Sequence, residues 1–444
     1  INVADYRDVV SYKEKPEKRS KVGHTVPRWW EVEEGEIAHS VMSVADSLKT
    51  SGTERREAFI RFARLYENLE LDNLDGTDYA AASVRLALTG AGLMSLNVCA
   101  ACVDTLASKI AKNRPRPTFL TSGESWDSQL KARLLDKWCR GYFYQTKVYN
   151  VAPQVVIDSY EFGTGVLYVY PAENGRLECE RVLPSEIFVD ELDGHYGKPT
   201  QLLRRKFVSR DTLARRFPEY AAEIYEAGKR ERIDASTGSD DVLDNTIEVW
   251  EAWHLPSGDK AKDGKRAIVI DGCTLLCEPW HLDRFPFVVR RFKKRTTGFW
   301  GKGVTETVQG IQIELNRTVR SISQQIRRKG KGRTYVQIGS KVVTAKLTND
   351  DGGDIVMYTG SPPIVAAQNV VAPEEFAYID RLYQKAFQEV GISELSASAK
   401  KPAGLDAAVA LREYNDIESE RFSLQHQEHE QFFLDFAELS IDLI

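Results

Sequence analysis

Four cysteines stand in two close pairs, Cys99-Ala100-Ala101-Cys102 and Cys273-Thr274-Leu275-Leu276-Cys277, and four thiolates make a zinc-binding set. Yet Cys99 falls on the apolar stripe of a predicted helix, with Leu96, Val103, Leu106 and Ile110, and Cys102 lies at its margin. Small buried thiols are common in such places. The second pair sits in an apolar strand, with a spacing foreign to zinc ribbons and without their glycines. Packed core thiols are the preferred reading and zinc the alternative. Gly298-Phe299-Trp300-Gly301-Lys302-Gly303, ahead of a helix, hints at a phosphate loop. The four-residue spacing before Gly-Lys is missing, and Gly303 stands where a magnesium-binding Ser or Thr belongs, so a tight strand-to-helix turn is preferred. His426-Gln427-Glu428-His429-Glu430 is not His-Glu-x-x-His, suggests no third ligand, and reads as a solvated helix face. Seven scattered histidines supply no Ser/His/Asp or Cys/His set. An intracellular zinc- or nucleotide-dependent enzyme would have to be built on Cys99, Cys102, Cys273 and Cys277, or on the Gly298–Gly303 turn.

The elements around these residues carry a stronger signal. Val304, Val308, Ile311, Leu315, Val319, Ile322 and Ile326 recur at spacings of four, three, four, four, three and four, which is one apolar stripe at helical period. Gln309, Gln312, Glu314, Arg317 and Arg320 lie off it. The predicted helix, Val304–Lys329, ends at Gly330 and Gly332 within a basic run of Arg327, Arg328, Lys329, Lys331 and Arg333. Cations there complement the carbonyl end of the helix, and a solvated end is the simplest account of the run. A small β element is expected at Arg333–Val365. A return helix follows at Pro373–Val390, opened by Pro373 and Glu374-Glu375, striped by Phe376, Ile379, Leu382/Tyr383, Phe387 and Val390, and stopped by Gly391. At ~1.5 Å per residue the two helices are roughly 39 and 27 Å long. Together they form a two-helix stalk bearing a small lobe, and two such stripes need further cover from neighbouring chains.

Upstream, four helices are expected. The first rests on Ile37, Val41, Val44 and Leu48, and the second on Phe59, Phe62, Leu65/Tyr66 and Leu69 with Thr53 as its cap. The third contains Cys99 and stops at Asn113-Arg114-Pro115-Arg116-Pro117, and the fourth, about Ser128–Tyr144, rests on Leu130, Leu134, Trp138 and Tyr142. Asp158–Gly165 turns a helix into the strand Val166–Tyr170, which Glu173-Asn174-Gly175 folds back onto Leu177–Val182. A short helix at Arg210–Arg216 and strands at Ile247–His254, Arg266–Ile270 and Thr274–Cys277 follow. A helix after Gly404 is expected to run to Ile444, with ten acidic residues from Asp406 onward against Arg412 and Arg421.

The 444 residues suffice for two or three cores, and 42% hydrophobic with 28% charged is an ordinary globular balance. A net charge of −5 argues against a protein that coats nucleic acid through bulk positive charge, although a conduit for it is compatible. Scattered cysteines suit reduced thiols. No leader is read in the polar stretch 1–21, and Leu86–Val103, interrupted by Thr89, Gly90, Gly92, Ser95 and Asn97, is too polar and short for a membrane span.

Phe285-Pro286-Phe287-Val288-Val289, then the Gly298–Gly303 turn, then a helix closing on Gln312-Ile313-Glu314-Leu315-Asn316, resembles the portal (head–tail connector) proteins of tailed double-stranded DNA bacteriophages. The Phe162-Gly163-Thr164-Gly165 corner also resembles that family's wing, and the order of elements matches from about residue 158 onward. The resemblance implies an α+β portal fold: wing 1–302, first stem helix 303–331, clip 332–372, second stem helix 373–390, tunnel loop 391–404, and tunnel helix 405–444 with any crown beyond Ile444. It implies a ring, typically of twelve subunits, at one capsid vertex of the virion, assembled in host cytoplasm. Such a ring is the channel for DNA packaging, retention and ejection. Implied partners are further copies of the chain, double-stranded DNA, the major capsid protein, a scaffolding protein, the terminase large subunit and a head–tail adaptor. No membrane, metal, cofactor or active site is implied, and the ATPase work would belong to a partner.

Ser393–Gly404, rich in serine and alanine, falls where the family has its tunnel loop, so Ser396, Ser398, Lys400 and Lys401 become candidates for touching DNA. The basic run Arg327, Arg328, Lys329, Lys331 and Arg333 becomes a ring of positive charge or a partner contact. Clip strands at about Thr334–Val343 and Asp354–Thr359 carry Tyr335, Val336, Ile338, Ile355 and Met357, too apolar for an isolated hairpin, and are expected to pair with a neighbouring subunit.

Overall fold

The β-branched and aromatic runs of the middle third form two antiparallel sheets in a computed structural model. It describes residues 28–68, 96–121, 125–172, 175–227, 245–258, 261–329, 333–335, 364–366, 373–392 and 420–444. The smaller sheet has the order β2-β1-β8, from β1 (Thr164–Pro171), β2 (Leu177–Val182) and β8 (Phe287–Arg291). The larger runs β3-β4-β5-β6-β7, from β3 (Ile187–Phe188), β4 (Gln201–Ser209), β5 (Thr246–His254), β6 (Lys265–Ile270) and β7 (Cys273–Pro279), and a short antiparallel pair joins β9 (Lys293–Lys294) to β10 (Gly301–Lys302). The expected mixture of helix and sheet, α+β, is what the chain adopts.

Period-two alternation sends each strand's residues to two different cores. From β1 and β8, Leu167, Val169 and Val288 face a helical layer, packing with Val155, Phe432, Phe433 and Phe436. Val166, Tyr168 and Phe287 face the larger sheet and meet Leu202 and Trp253. The far side of the larger sheet is covered by α1 (Ile37–Ser51), whose Ile37, Val41, Val44 and Leu48 pack on Leu203, Trp250, Ala252, Ala267 and Val269.

The helical layer comprises α2 (Thr53–Tyr66), α3 (Val98–Ala111), α4 (Trp126–Gln145), α5 (Val148–Glu161), α8 (Val304–Lys329), α9 (Pro373–Val390) and α10 (Ser423–Asp442). Two short helices, α6 (Arg210–Arg216) and α7 (Ala221–Glu226), cover one end of the larger sheet through Leu213 and Ile224. The ends of α8 and α9 fall at the residues the sequence predicts. Gly391 closes α9 with φ +86°, its N–H donating to the Phe387 carbonyl at 2.8 Å and that of Ile392 at 3.0 Å.

Several expectations need correction. Thr53 does not cap α2: its hydroxyl turns back to the carbonyls of Lys49 and Thr50, both at 3.0 Å, and closes α1 instead. In α4 only Cys139, Tyr142 and Phe143 are buried, while Leu130 and Leu134 are exposed, so half the expected stripe has no core under it. Strand β4 is missing from the sequence reading because its Arg204-Arg205-Lys206 run looks solvated. Of the expected terminal helix, residues 405–419 lie outside the described residues, and a turn at Arg421-Phe422 precedes α10. Finally, the α8 stripe is mostly buried within the chain, Leu315 and Ile322 included, whereas in the α9 stripe only Phe387 is buried and Ile379, Leu382, Tyr383 and Val390 are half-buried, packing against the core that holds Leu315. Exposure persists at the far end, at Ile326, Phe376 and Tyr378.

Candidate functional site

The root of α8 is set by glycines where two stretches of backbone cross. Helix α5 ends at Glu161, and Gly163, at φ +89°, turns the chain into β1. A Cβ on Gly163 would stand 2.5 Å from the Gly301 carbonyl oxygen, and one on Gly301 would stand 2.1 Å from that of Gly163. The Gly301 N–H donates to the Thr164 hydroxyl at 2.9 Å. Beside the crossing Phe299 and Trp300 are buried, and the Arg55 guanidinium lies 5.0 Å from the Trp300 ring centroid. Gly301 and Gly303 therefore serve close backbone contact within the chain and Gly298 a positive φ of 97°, and the phosphate-loop alternative loses its basis.

Three turns further along α8, two amides hold the start of α3. Gln312 Oε1 accepts from the N–H groups of Val98 (2.7 Å) and Cys99 (3.2 Å), while its Nε2 donates to the Leu96 carbonyl at 2.5 Å. Asn316 Oδ1 accepts from Leu96 N at 3.2 Å, and Asn97 caps α3 by accepting from Ala100 N at 2.9 Å. Residues 312 and 316 share a helix face, so one face of α8 satisfies donors that a helix start leaves open. Gln312 sits off the apolar stripe by sequence yet is only 1% exposed. The spacing Gln-x-x-x-Asn is the signal that could have found it.

Buried charge gathers at three places between the layers. Asp158 takes a bidentate pair from Arg181, at 2.6 and 2.5 Å, and near it burial, with Asp158 adding repulsion, pushes Glu161 up to about 8. Arg290 is buried with Nη2 on the Tyr160 hydroxyl at 3.4 Å, Nη1 on the Ser159 hydroxyl and its guanidinium 5.1 Å from the Tyr160 ring centroid. Between the two sheets Arg204 reaches Glu180 at 2.8 Å and Glu186 at 3.3 Å, beneath the Tyr168 ring. The sequence reading missed all three, because a charged residue in a helix or strand looks solvated until a distant element covers it, α5 over Arg290 and the smaller sheet over Arg204.

The histidine reading also needs correction. His429 is buried, edge-on to Phe433 with Nε2 3.1 Å from the Asn113 carbonyl oxygen, and burial lowers it to about 4. Cys99 and Cys102 are packed thiols in the helical core, pushed up to about 12 by burial. A register irregularity at Ile268/Val269 sends Cys273 and Cys277 to opposite faces of the larger sheet, one against α6 and α7 and the other against α1. The four thiols are not brought together, and among the described residues no group of three His, Cys, Asp or Glu could hold a metal ion. A cleft of about 610 Å³ opens between α2 and the glycine turn, where Arg55 pairs with Glu191 and Arg295 with Glu306 at 2.6 Å.

Of the residues singled out at the stalk's far end, Arg327, Arg328 and Lys329 fall in the last turn of α8, and Arg333 and Tyr335 in strand β11 (Arg333–Tyr335). That strand pairs antiparallel with β12 (Ile364–Ala366) of the same chain, Arg333 opposite Ala366 and Tyr335 opposite Ile364. Lys331, Val336, Ile338, Ile355, Met357, Ser396, Ser398, Lys400 and Lys401 lie outside the described residues. No helix among the described residues is long and apolar enough to cross a membrane.

A family model described as bacteriophage head to tail connecting protein matches residues 137–386, more than half the chain. The matched stretch runs from the last turns of α4 through both sheets and α8 to within a turn of the end of α9. A comparison with individual curated proteins returns no match.

Proposed function

The chain belongs to the bacteriophage head to tail connecting protein family, and from that membership we propose that it is the subunit of a ring-shaped portal. Connectors are structural proteins of the phage portal vertex, with capsid and tail components as their assembly partners. In the proposed ring α8 and α9 are the stem, 332–372 the clip and 391–404 the tunnel loop. The rest of the described body is the wing, with α10 as the last part of the tunnel helix 405–444. Twelve copies would enclose a channel for packaging, retaining and ejecting double-stranded DNA. The terminase large subunit and a head–tail adaptor would dock at the clip, and capsid and scaffolding proteins at the wing.

The observation that carries this reading is the family match, continuous across the sheets and both stem helices. Ile326, Phe376 and Tyr378, exposed at the far end of the stem, support it as surface for a neighbour to cover. The basic residues Arg327–Lys329 and Arg333 would repeat around the ring beside the clip. Native mass measurement and particle imaging of the purified chain test the reading, with closed rings of about twelve copies expected. A chain that stays monomeric at all concentrations would sink it. In assembled rings, replacing Lys400 and Lys401 by Ala is expected to leave assembly intact while changing packaging rate or DNA retention, since point charges screened over roughly 8 Å act on passage rather than on folding. Unchanged packaging and retention would reduce the tunnel loop to a connection.

A further inference from the structure

Helix α4 is only half used by the subunit that contains it. Its buried residues, Cys139, Tyr142 and Phe143, all lie in the last two turns. Ahead of them Trp126, Leu130 and Leu134, four residues apart on one face, are 70%, 47% and 55% exposed. About twelve residues of helix without a packed face are marginal in water. The Arg133 guanidinium lies 5.8 Å from the Trp126 ring centroid, and the helix carries Lys131, Arg133, Lys137 and Arg140 against Asp127 and Asp136. The free half of α4 is thus an apolar ridge with a small excess of positive charge, Lys131, Arg133 and Lys137 against Asp127 and Asp136.

Helix α10 presents the opposite pattern. It contains Glu428, Glu430, Asp435, Glu438 and Asp442 and no Lys or Arg. Arg284 braces Glu438 and Asp442, both at 3.3 Å, and Lys294 takes Glu428 at 2.6 Å. Leu424 and Leu434 stand out from it, 67% and 40% exposed, on a ridge with Gln427, Gln431 and Glu438. Its inner face, through Phe433 and Phe436, packs on the last turns of α4. Those pairings offset part of the charge and leave the α10 surface net acidic through Glu430 and Asp435, a surface distinct from the α4 ridge, the two flanking one core.

We infer that the free half of α4 docks on the outer face of α10 of a second copy of the chain. Opposite charge and matching apolar ridges fit these two surfaces to each other. Pairing two different patches is head-to-tail, the kind of contact that closes rings. The inference rests on the ring reading and adds to it which wing surfaces meet.

The test measures assembly by light scattering over a concentration series, with circular dichroism to confirm folding. Arg133→Glu with Lys137→Glu is expected to raise the assembly midpoint at least about tenfold, and adding Gln427→Lys with Glu430→Lys to restore most of that loss. Leu130→Asp with Leu134→Asp, at exposed positions, is expected to leave the monomer folded and prevent rings. A parent that never assembles overturns both the ring reading and this contact. A parent that forms rings alongside an equally competent leucine variant overturns the contact alone. Failure of the α10 lysines to rescue, or intact rings that fail only in joining other virion proteins, would assign the α4 ridge to a different partner and overturn it too.

Discussion

Replacing Gln312 with Ala tests whether α8 is fastened to the wing through side-chain amides. The change removes the acceptor for Val98 N and Cys99 N and the donor for the Leu96 carbonyl, at a position 1% exposed. Each buried bond contributes about 1 kcal/mol net, and each group left without a partner costs about 1–3 kcal/mol. Partial relaxation of the α3 start brings the expected total to about 3–5 kcal/mol. Asn316→Ala removes one bond, to Leu96 N at 3.2 Å, from a half-buried site and should cost about 1 kcal/mol. Gln312→Glu keeps the two acceptor bonds but sets a carboxylate oxygen against the Leu96 carbonyl. Its cost should therefore ease as pH falls and the acid gains a proton to donate. Amide hydrogen exchange on the assembled protein reads the effect locally. A loss of about 3 kcal/mol speeds exchange at Val98 and Cys99 more than about a hundredfold, with smaller change at Val155 and Val156 in α5. If Gln312→Ala left both amides as protected as the parent, the clamp would not be holding α3 and the reasoning would fail.

Glu161 and His429 make opposed pH predictions. Glu161 is raised from 4.5 to about 8, so the native state holds a proton the unfolded chain has lost, and its stability contribution is present below 4.5 and drains away up to about 8. His429 is lowered from 6.5 to about 4, so its contribution is present above 6.5 and is lost as pH falls toward about 4. The two slopes cancel between 4.5 and 6.5, and the parent should lose about 2 kcal/mol from pH 6.5 to 8 through Glu161. Glu161→Gln should abolish that decline in thermal unfolding, and His429→Asn should remove the loss on the acid side. Curves that keep the parent's shape would refute both assignments. Gly301→Ala forces a Cβ to within 2.1 Å of the Gly163 carbonyl oxygen, and should cost more than about 3 kcal/mol or prevent folding. Gly310→Ala, in open space on α8, should stabilise by about 1 kcal/mol, and denaturant unfolding of the two compares them directly.

The long periodic elements were legible before the structure. The stripe from Val304 to Ile326 and the Gly391 stop place α8 and α9, because an apolar face repeating at helical period has few other ways to be buried. What escaped the sequence is polar and depends on neighbours far along the chain. Gln312 looks solvent-facing until α3 arrives, and Arg204 looks like surface until the smaller sheet covers it. His429 looks exposed until the Asn113 carbonyl meets it. The reverse error occurs in α4, where Leu130 and Leu134 have the spacing of a core stripe but no core of their own chain beneath them. The cysteines were read correctly as packing residues where burial is deepest, at Cys99 and Cys102.

Among the described residues, the polar fastening of α8 lies in its first part. The glycine crossing grips the chain at Gly301, and the amide clamp grips it at Gln312 and Asn316. From residue 317 to 329, about 20 Å at ~1.5 Å per residue, no side-chain hydrogen bond among the described residues ties it back to α3, and α9 packs along α8. Mechanically this is a cantilever built in at one end, a rod whose tip deflects in proportion to the cube of its free length. Side loads applied at β11 and β12 would bend the last turns of α8 and α9 together and fade before they reach the sheets. Compliance would thus be graded along the stem, soft at the tip and stiff at the root, so that a tilted partner could be accommodated without disturbing the wing.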